Sequence, residues 1–384
     1  MTRRRMLIAH PYVRPVGGGN AVAAWALQAL REDFRVTLAT LGRIDYRAVN
    51  QSFGTSLREG DLDVRVAPRR YLALLRSLPT PGALMEQCVT IRWARDLDAR
   101  ERFDILLSTQ NEADFGRRGL QYVHFPWAYL PRPDIELRWF HRIPGLLGAY
   151  RGFCQRLSQG TDEGLRRNLS LANSAFVAGK IKAVHGVDSV VLYPPVPGDF
   201  PDIPWERRRP AAVAVGRMHG CKRWEMAVEI VDLVRREGLD LGFTLIAHRD
   251  DPEYGQRMAA LAARRPWFRI LSDLSREQLA GEVAQHRYGL HTMENEHFGI
   301  AVAELLRAGC IPFVHDSGGP VEIVGGRDEL RFRNAAGGAQ ALAAAMRDPA
   351  RQESLRRFLA ARRNLFSAAE FCSSLRRLAD KFCD

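Results

Sequence analysis

Short apolar runs alternate with longer stretches of helical periodicity through most of the chain. That alternation is the signature of β-strand and α-helix units feeding parallel sheets. In the first half, residues 6–9, 34–39, 64–66, 105–108, 121–124, 169–172 and 189–192 read as strands, and a helix is predicted from about Ala21 to Leu30 after a glycine-rich turn. A proline-rich stretch follows, with Pro194, Pro195, Pro197, Pro201 and Pro204 ahead of Arg207-Arg208-Arg209-Pro210. Proline fixes its own backbone and removes a hydrogen-bond donor, so the stretch suits a linker. The alternation then restarts, with strands predicted at 211–215, 243–247, 268–271, 288–291 and 311–314. The tail reads as helices, with Ser367 placed to cap the last one. The expected architecture is α/β, with two domains over residues 1–197 and 208–365 and a helix over 366–384 that returns to the first domain.

Composition sets bounds on this picture. A chain of 384 residues is long enough for about two domains with real cores. The cysteines Cys88, Cys154, Cys221, Cys310, Cys372 and Cys383 are scattered without a C-x-x-C pair, which suggests neither a zinc site nor a disulfide framework and points to a reducing, cytoplasmic compartment. No apolar run reaches the roughly 18 residues of a spanning helix, and the stretch after Arg3-Arg4-Arg5 is too short for a signal peptide. The net charge of +12 favours an anionic partner such as nucleic acid, lipid headgroups or phosphorylated substrates, or else reflects a generic surface rich in arginine.

Three stretches carry chemistry. Gly17-Gly18-Gly19-Asn20 lies between the first strand and the first helix. Glycines there let backbone approach an anion at a helix start, or simply make a flexible turn; the spacing is not the dinucleotide G-x-G-x-x-G. Arg217 and Lys222 flank a loop after the first strand of the second domain. Ligands of open α/β sheets bind beyond the C-terminal strand ends, so the two cations either reach a diphosphate or are solvated. The third stretch, Glu294 to Glu304 with His297-Phe298-Gly299 inside it, follows the strand ending at His291-Thr292. A helix starting near Gly299 places Glu304 inside it and Glu296 in the loop before it. Carboxylates accept hydrogen bonds from sugar hydroxyls, and the first N–H groups of a helix face a phosphate. Asp316-Ser317-Gly318-Gly319-Pro320 forms a further loop on the same rim, to touch the ligand or to turn into the next helix.

Taken together, these segments resemble the retaining GT-B glycosyltransferases of family 4. The match runs through His10-Pro11-Tyr12 with the glycines, Tyr122-Val123-His124-Phe125-Pro126, Ala172-Asn173-Ser174 to Tyr193-Pro194-Pro195-Val196, Gly216-Arg217 to Lys222, and the Glu296/Glu304 motif. Within the family the chain is most similar to the lipid-linked-oligosaccharide α-1,2-mannosyltransferases. The resemblance implies a GT-B fold, two Rossmann-like α/β domains facing a cleft, with the acceptor on the first domain and the nucleotide-sugar on the second. It implies that Arg217 and Lys222 hold the donor diphosphate, that Glu304 binds ribose, and that Glu296 and Phe298 lie at the donor. Gly299 and Ile300 offer backbone N–H groups, His124 sits near the transferred sugar, and Gly18 and Gly19 line the cleft. His124, Arg217, Lys222 and Glu296 are thus the catalytic candidates. The implied substrates are a GDP- or UDP-sugar, best read as GDP-mannose, and a glycan or lipid-linked acceptor, with transfer that retains configuration and needs no metal. Asn20 and Ala21 depart from the Glu-Arg that relatives often carry after the glycines.

Other signals are weaker. Asp61-Leu62-Asp63 and Asp96-Leu97-Asp98 fit the D-x-D metal pattern but read as polar element edges, and His291 with His297 lacks a third ligand. His219, His248 and His315 read as structural or surface residues. Two basic, aromatic stretches, Arg69-Arg70-Tyr71 to Arg76 and Arg138-Trp139-Phe140 through Arg142 to Arg151, suit either an anionic membrane surface on the cytoplasmic side or packing against the first domain. A sugar-nucleotide epimerase of similar fold and a basic nucleic-acid-binding protein are the alternatives. The first lacks a clear acid/base set. The paired glutamates and the absence of a recognisable module argue against nucleic acid as a partner.

Overall fold

The central strands of both halves are buried on both faces, which is why they read as apolar runs rather than as alternations. The computed structural model describes residues 3–76, 82–130, 143–248 and 250–383, arranged as two units: Met1–Pro195 with Ala368–Asp384, and Val196–Ser367.

The first unit holds seven strands: β1 (Arg5–Ala9), β2 (Arg35–Thr40), β3 (Asp63–Val66), β4 (Ile105–Ser108), β5 (Leu120–Val123), β6 (Leu169–Ala172) and β7 (Ser189–Val191). They form one sheet in the order β3-β2-β1-β4-β5-β6-β7. All the pairings are parallel, with Met6 opposite both Val36 and Ile105. One face packs against helix α1 (Gly18–Leu30), where Leu27 and Leu30 meet Ile8, Leu38 and Leu107. The last helix of the chain, α15 (Ala368–Cys383), lies against α1 and adds Phe371, Leu375 and Ala379 to the same core. The other face is covered by α4 (Gly82–Glu101) and α5 (Leu146–Ser158), around Leu7, Val89 and Leu106.

The second unit holds β8 (Arg209–Arg217), β9 (Gly242–His248), β10 (Phe268–Leu271), β11 (His286–His291), β12 (Ile311–His315) and β13 (Arg331–Phe332). The order is β10-β9-β8-β11-β12-β13, again all parallel. In each sheet the winding direction reverses beside the first strand, between β1 and β4 and between β8 and β11. Loops at the C-terminal ends of those strands diverge there and leave a crevice, the place where open α/β sheets bind ligands. All three chemistry-bearing stretches emerge at these two points.

Some sequence expectations need correction. Helix α1 begins at Gly18, not near Ala21, so Gly18 and Gly19 form its first turn and the turn itself needs one glycine, Gly17, at φ +86°. Strand β8 runs on to Arg217, and β13 is too short to leave an apolar run. Asp96 and Asp98 lie within α4 rather than at an element edge; Asp98 is buried and paired with Arg117. Arg138 and Arg142 lie outside the described residues.

Candidate functional site

In the second unit the loop after β8 folds through a 3-10 turn at Gly220–Lys222 and enters α8 (Trp224–Arg236). Arg223 makes that entry in the left-handed region, at φ +54°. The buried Thr292, just past the end of β11, donates its hydroxyl to the Lys222 carbonyl at 2.6 Å and so ties the two loops of the switch point together. Lys222 thereby faces the loop that carries Glu296. Its Nζ reaches Glu296 Oε2 at 2.5 Å, with both side chains largely buried. Burial alone would raise the Glu296 pKa. The Lys222 charge and the nearby His291 ring outweigh it and hold the carboxyl well below the usual carboxylate range.

The Glu296 loop is held from behind by the loop after β12. Ser317 Oγ accepts from Asn295 N at 2.8 Å, and Gly319 N donates to Glu296 O at 2.9 Å. Backbone meets backbone here: a Cβ on Gly318, at φ +76°, would stand 2.3 Å from Glu296 O. The aspartate of this loop, Asp316, is taken up by Arg331 and Arg333.

Gly299 caps α11 (Ile300–Arg307) at φ +98°, with no side-chain cap. A Cβ there would lie 3.7 Å from Glu296 Cγ, so Glu296 sits directly beside the helix start. The first N–H groups of α11, beginning with Ile300, have no acceptor within the helix. Phe298 is buried, with its ring near Phe366. Glu304 lies inside α11 and is also buried, but it is already engaged: its carboxylate pairs with Arg276. Arg276, at the first position of α10 (Arg276–Ala284), also donates to Pro197 O at 2.5 Å. Arg217 points elsewhere. It is more than half exposed and bonds Asp250 at 3.2 Å.

The first unit brings a second group together. Gly19 faces the His124 ring; a Cβ there would lie 3.4 Å from Nε2. That nitrogen contacts Thr109 O at 3.0 Å. A carbonyl only accepts, so Nε2 carries the proton and Nδ1 is left as an acceptor. His10 bridges Thr109 Oγ1 at 3.0 Å and Asn20 Oδ1 at 3.1 Å. Burial lowers the pKa of both imidazoles to about 4, so both are neutral at pH 7. Asn20 also accepts from Arg14 N and donates to Val16 O, closing the loop between β1 and α1. The residue that departs from the resemblance is thus spent on its own loop.

Sequence reasoning missed Arg276 and assigned nothing to His291 beyond an unsupported metal pair. Among the described residues, no group of three or more His, Cys, Asp or Glu side chains is placed to hold a metal ion. His219 caps the 3-10 turn by accepting from Cys221 N, His248 is exposed, and His315 lies 3.5 Å from Glu294.

Residues 209–350 match the family model described as Glycosyl transferases group 1, so the second unit carries that domain. Curated relatives are named GDP-Man:Man(3)GlcNAc(2)-PP-Dol alpha-1,2-mannosyltransferase. The protein of Dictyostelium discoideum is 42% identical over 59 residues, 15% of this chain and 12% of that one. That of Candida glabrata is 26% identical over 172 residues, 40% of this chain and 34% of that one. The human protein is 50% identical over 44 residues, 12% and 9% of the two chains. The chain thus matches about a third or less of the length of these relatives. Among solved structures, Anabaena HepE in complex with UDP and glucose aligns with a TM-score of 0.65 at 13% identity, covering 99% of this chain and 100% of that one. Sucrose-phosphate synthase from Thermosynechococcus elongatus aligns with a TM-score of 0.66 at 13% identity, covering 99% of each. At this identity the likeness is one of fold, and the fold is GT-B.

Proposed function

We propose that the protein is a retaining glycosyltransferase that moves mannose from GDP-mannose to a glycan or lipid-linked acceptor. The observation that carries this reading is the Lys222–Glu296 pair beside the start of α11, at the switch point of a Glycosyl transferases group 1 domain. The pair provides a cation for a diphosphate and a carboxylate for sugar hydroxyls, next to a helix terminus that favours negative charge. The donor base and sugar, and the lipid-linked acceptor, are inferred from the names of the relatives.

In this reading the donor diphosphate displaces Glu296 from Lys222, and Arg217 swings from Asp250 to join it. The N–H groups at Gly299 and Ile300 complete the set, so charge developing on the leaving phosphate meets preorganised donors, often the largest catalytic term. The freed Glu296 carboxylate orients the sugar. Glu304 must exchange Arg276 for ribose hydroxyls. His124 accepts a sugar hydroxyl through Nδ1, and Gly18 and Gly19 keep the approach to it open. Retention follows if the acceptor hydroxyl attacks from the leaving-group face and loses its proton to the departing phosphate.

The protein acts, we propose, as a peripheral enzyme on an anionic, cytoplasmic membrane surface. No described helix is long and apolar enough to cross a membrane. Helix α3 (Arg69–Arg76) exposes Arg69, Arg70 and Arg76, and α5 exposes Leu146 and Phe153. Arg151 is withdrawn from that role, because it bonds the carbonyls of Trp127, Ala128 and Leu130. The functional test is turnover of radiolabelled GDP-mannose on a polyprenyl-diphosphate glycan, with UDP-glucose in parallel and each donor assayed with and without excess EDTA. Mannose transfer that survives EDTA is expected. Transfer lost with EDTA and restored by Mn²⁺ would overturn the metal-independent reading, and turnover of neither sugar would overturn the donor.

A further inference from the structure

His291 closes strand β11 and is 2% exposed. Neither of its ring nitrogens has a hydrogen-bond partner. An imidazole always carries at least one N–H, and leaving a buried donor unpaired costs about 1–3 kcal/mol. A lone buried imidazole would therefore be expected to have a partner in some state of the protein. The nearest carboxylate oxygen is Glu296 Oε2, 3.6 Å from Nε2, just beyond hydrogen-bond reach. That same oxygen is bonded to Lys222 at 2.5 Å. One carboxylate thus stands between two donors, in contact with one and a fraction of an ångström short of the other.

Resting on the donor reading above, we infer that His291 is the positioning residue of Glu296: when Lys222 leaves the carboxylate for the donor diphosphate, the His291 N–H replaces it. The exchange follows from the cost of the alternative. A largely buried carboxylate that loses its cation and gains no donor bears a desolvation penalty. A shift of well under 1 Å brings Oε2 within bonding distance of Nε2, while the loop behind it stays fixed through Ser317 and Gly319. A neutral imidazole suits this task. It donates one hydrogen bond without adding a positive charge that would compete with Lys222 for the diphosphate. The other carboxylate oxygen is left to accept from the sugar. Thr292, next in the chain, holds the Lys222 carbonyl, so adjacent residues at the end of β11 govern both halves of the exchange.

Calorimetry on the full chain separates this role from simple packing. The probes are GDP against GDP-mannose, and UDP against UDP-glucose. The variants are His291→Phe, which keeps the ring volume and removes both nitrogens, and His291→Gln, which restores an N–H near the position of Nε2. The free nucleoside diphosphate also draws Lys222 off Glu296, so it should bind about tenfold more weakly to His291→Phe, the loss of one hydrogen bond to a charged group, and recover most of that in His291→Gln. The nucleotide-sugar should show the same loss and recovery, and for both ligands the loss should vanish when His291→Phe is made on Glu296→Gln, which has no charge for His291 to hold. A loss that persists in full on the Glu296→Gln background would make His291 a structural residue and overturn the inference. So would wild-type affinity in His291→Phe, or no recovery in His291→Gln. If the wild type binds neither pair, it is the donor reading itself that fails, and the two failures are distinguishable.

Discussion

At the residue scale, Glu296 and Glu304 differ in what each must give up. Glu304 is buried against Arg276, Glu296 against Lys222. Glu304→Gln should weaken binding of free GDP by at least about tenfold, because hydrogen bonds to a charged group are worth about 1.5–3 kcal/mol. Glu296→Gln should leave GDP affinity unchanged or slightly improved, since it releases Lys222 for the diphosphate, while turnover falls. Calorimetry paired with steady-state rates reads both effects, and the reverse pattern would exchange the two roles. A second expectation concerns His10 and His124, both lowered from 6.5 to about 4, chiefly by burial. Their folded forms bind fewer protons than the unfolded chain between those values, so the stability they contribute is present above pH 6.5 and lost as pH falls toward 4. The urea midpoint should fall over that window, and fall less steeply in the double variant His10→Gln, His124→Gln. Equal slopes would mean that neither imidazole is kept neutral by the fold. The sequence offered no sign of Arg276: among 56 Lys and Arg residues, one arginine 28 positions before Glu304 carries no signal. The unpaired state of His291 depends on which side chains surround it, and spacing along the chain does not encode that.

At the scale of elements, the loop after β12 is a support for the Glu296 loop. Gly318 needs a positive φ, and its bare Cα is crossed by the Glu296 backbone. Gly318→Ala should destabilise the protein by about 1–3 kcal/mol and lower turnover further by displacing Glu296. Thermal unfolding and donor turnover check this, and a variant with both unchanged would remove the loop from the site. The glycines were legible as a turn, but whether they touched a ligand or a neighbouring loop was not, because both uses require the same residue. Most strands were legible to within two residues, since central parallel strands are continuous apolar runs. The start of α1 was not, because Gly18 and Gly19 are poor helix formers and only the Gly17 backbone sets where the helix begins. The helical seat of Asp96 and Asp98 was hidden for a related reason: alternating acids look alike in a loop and in the last turns of a helix.

For the whole molecule, the two sheets share one winding order up to the sixth strand, and each puts its chemistry at its own point of reversal. The excess of positive charge has a use on the first unit if α3 and α5 meet an anionic surface. Sedimentation with anionic vesicles should exceed that with neutral ones and weaken as salt rises, since each cation near the surface adds about 1 kcal/mol within a Debye length. Arg69→Glu with Arg70→Glu should remove most of the difference; equal, negligible binding to both vesicle types would leave the charge without this role. The central claim is that the switch point between β8 and β11 binds the diphosphate of a sugar nucleotide through Lys222. The most direct measurement is calorimetric binding of GDP, with UDP as control, to the wild type and to Lys222→Ala. GDP should bind the wild type in preference to UDP and lose at least about tenfold in affinity when Lys222 is removed, the loss of one charge-assisted hydrogen bond to phosphate. GDP binding of equal strength in both proteins, or no nucleotide binding at all, would contradict it.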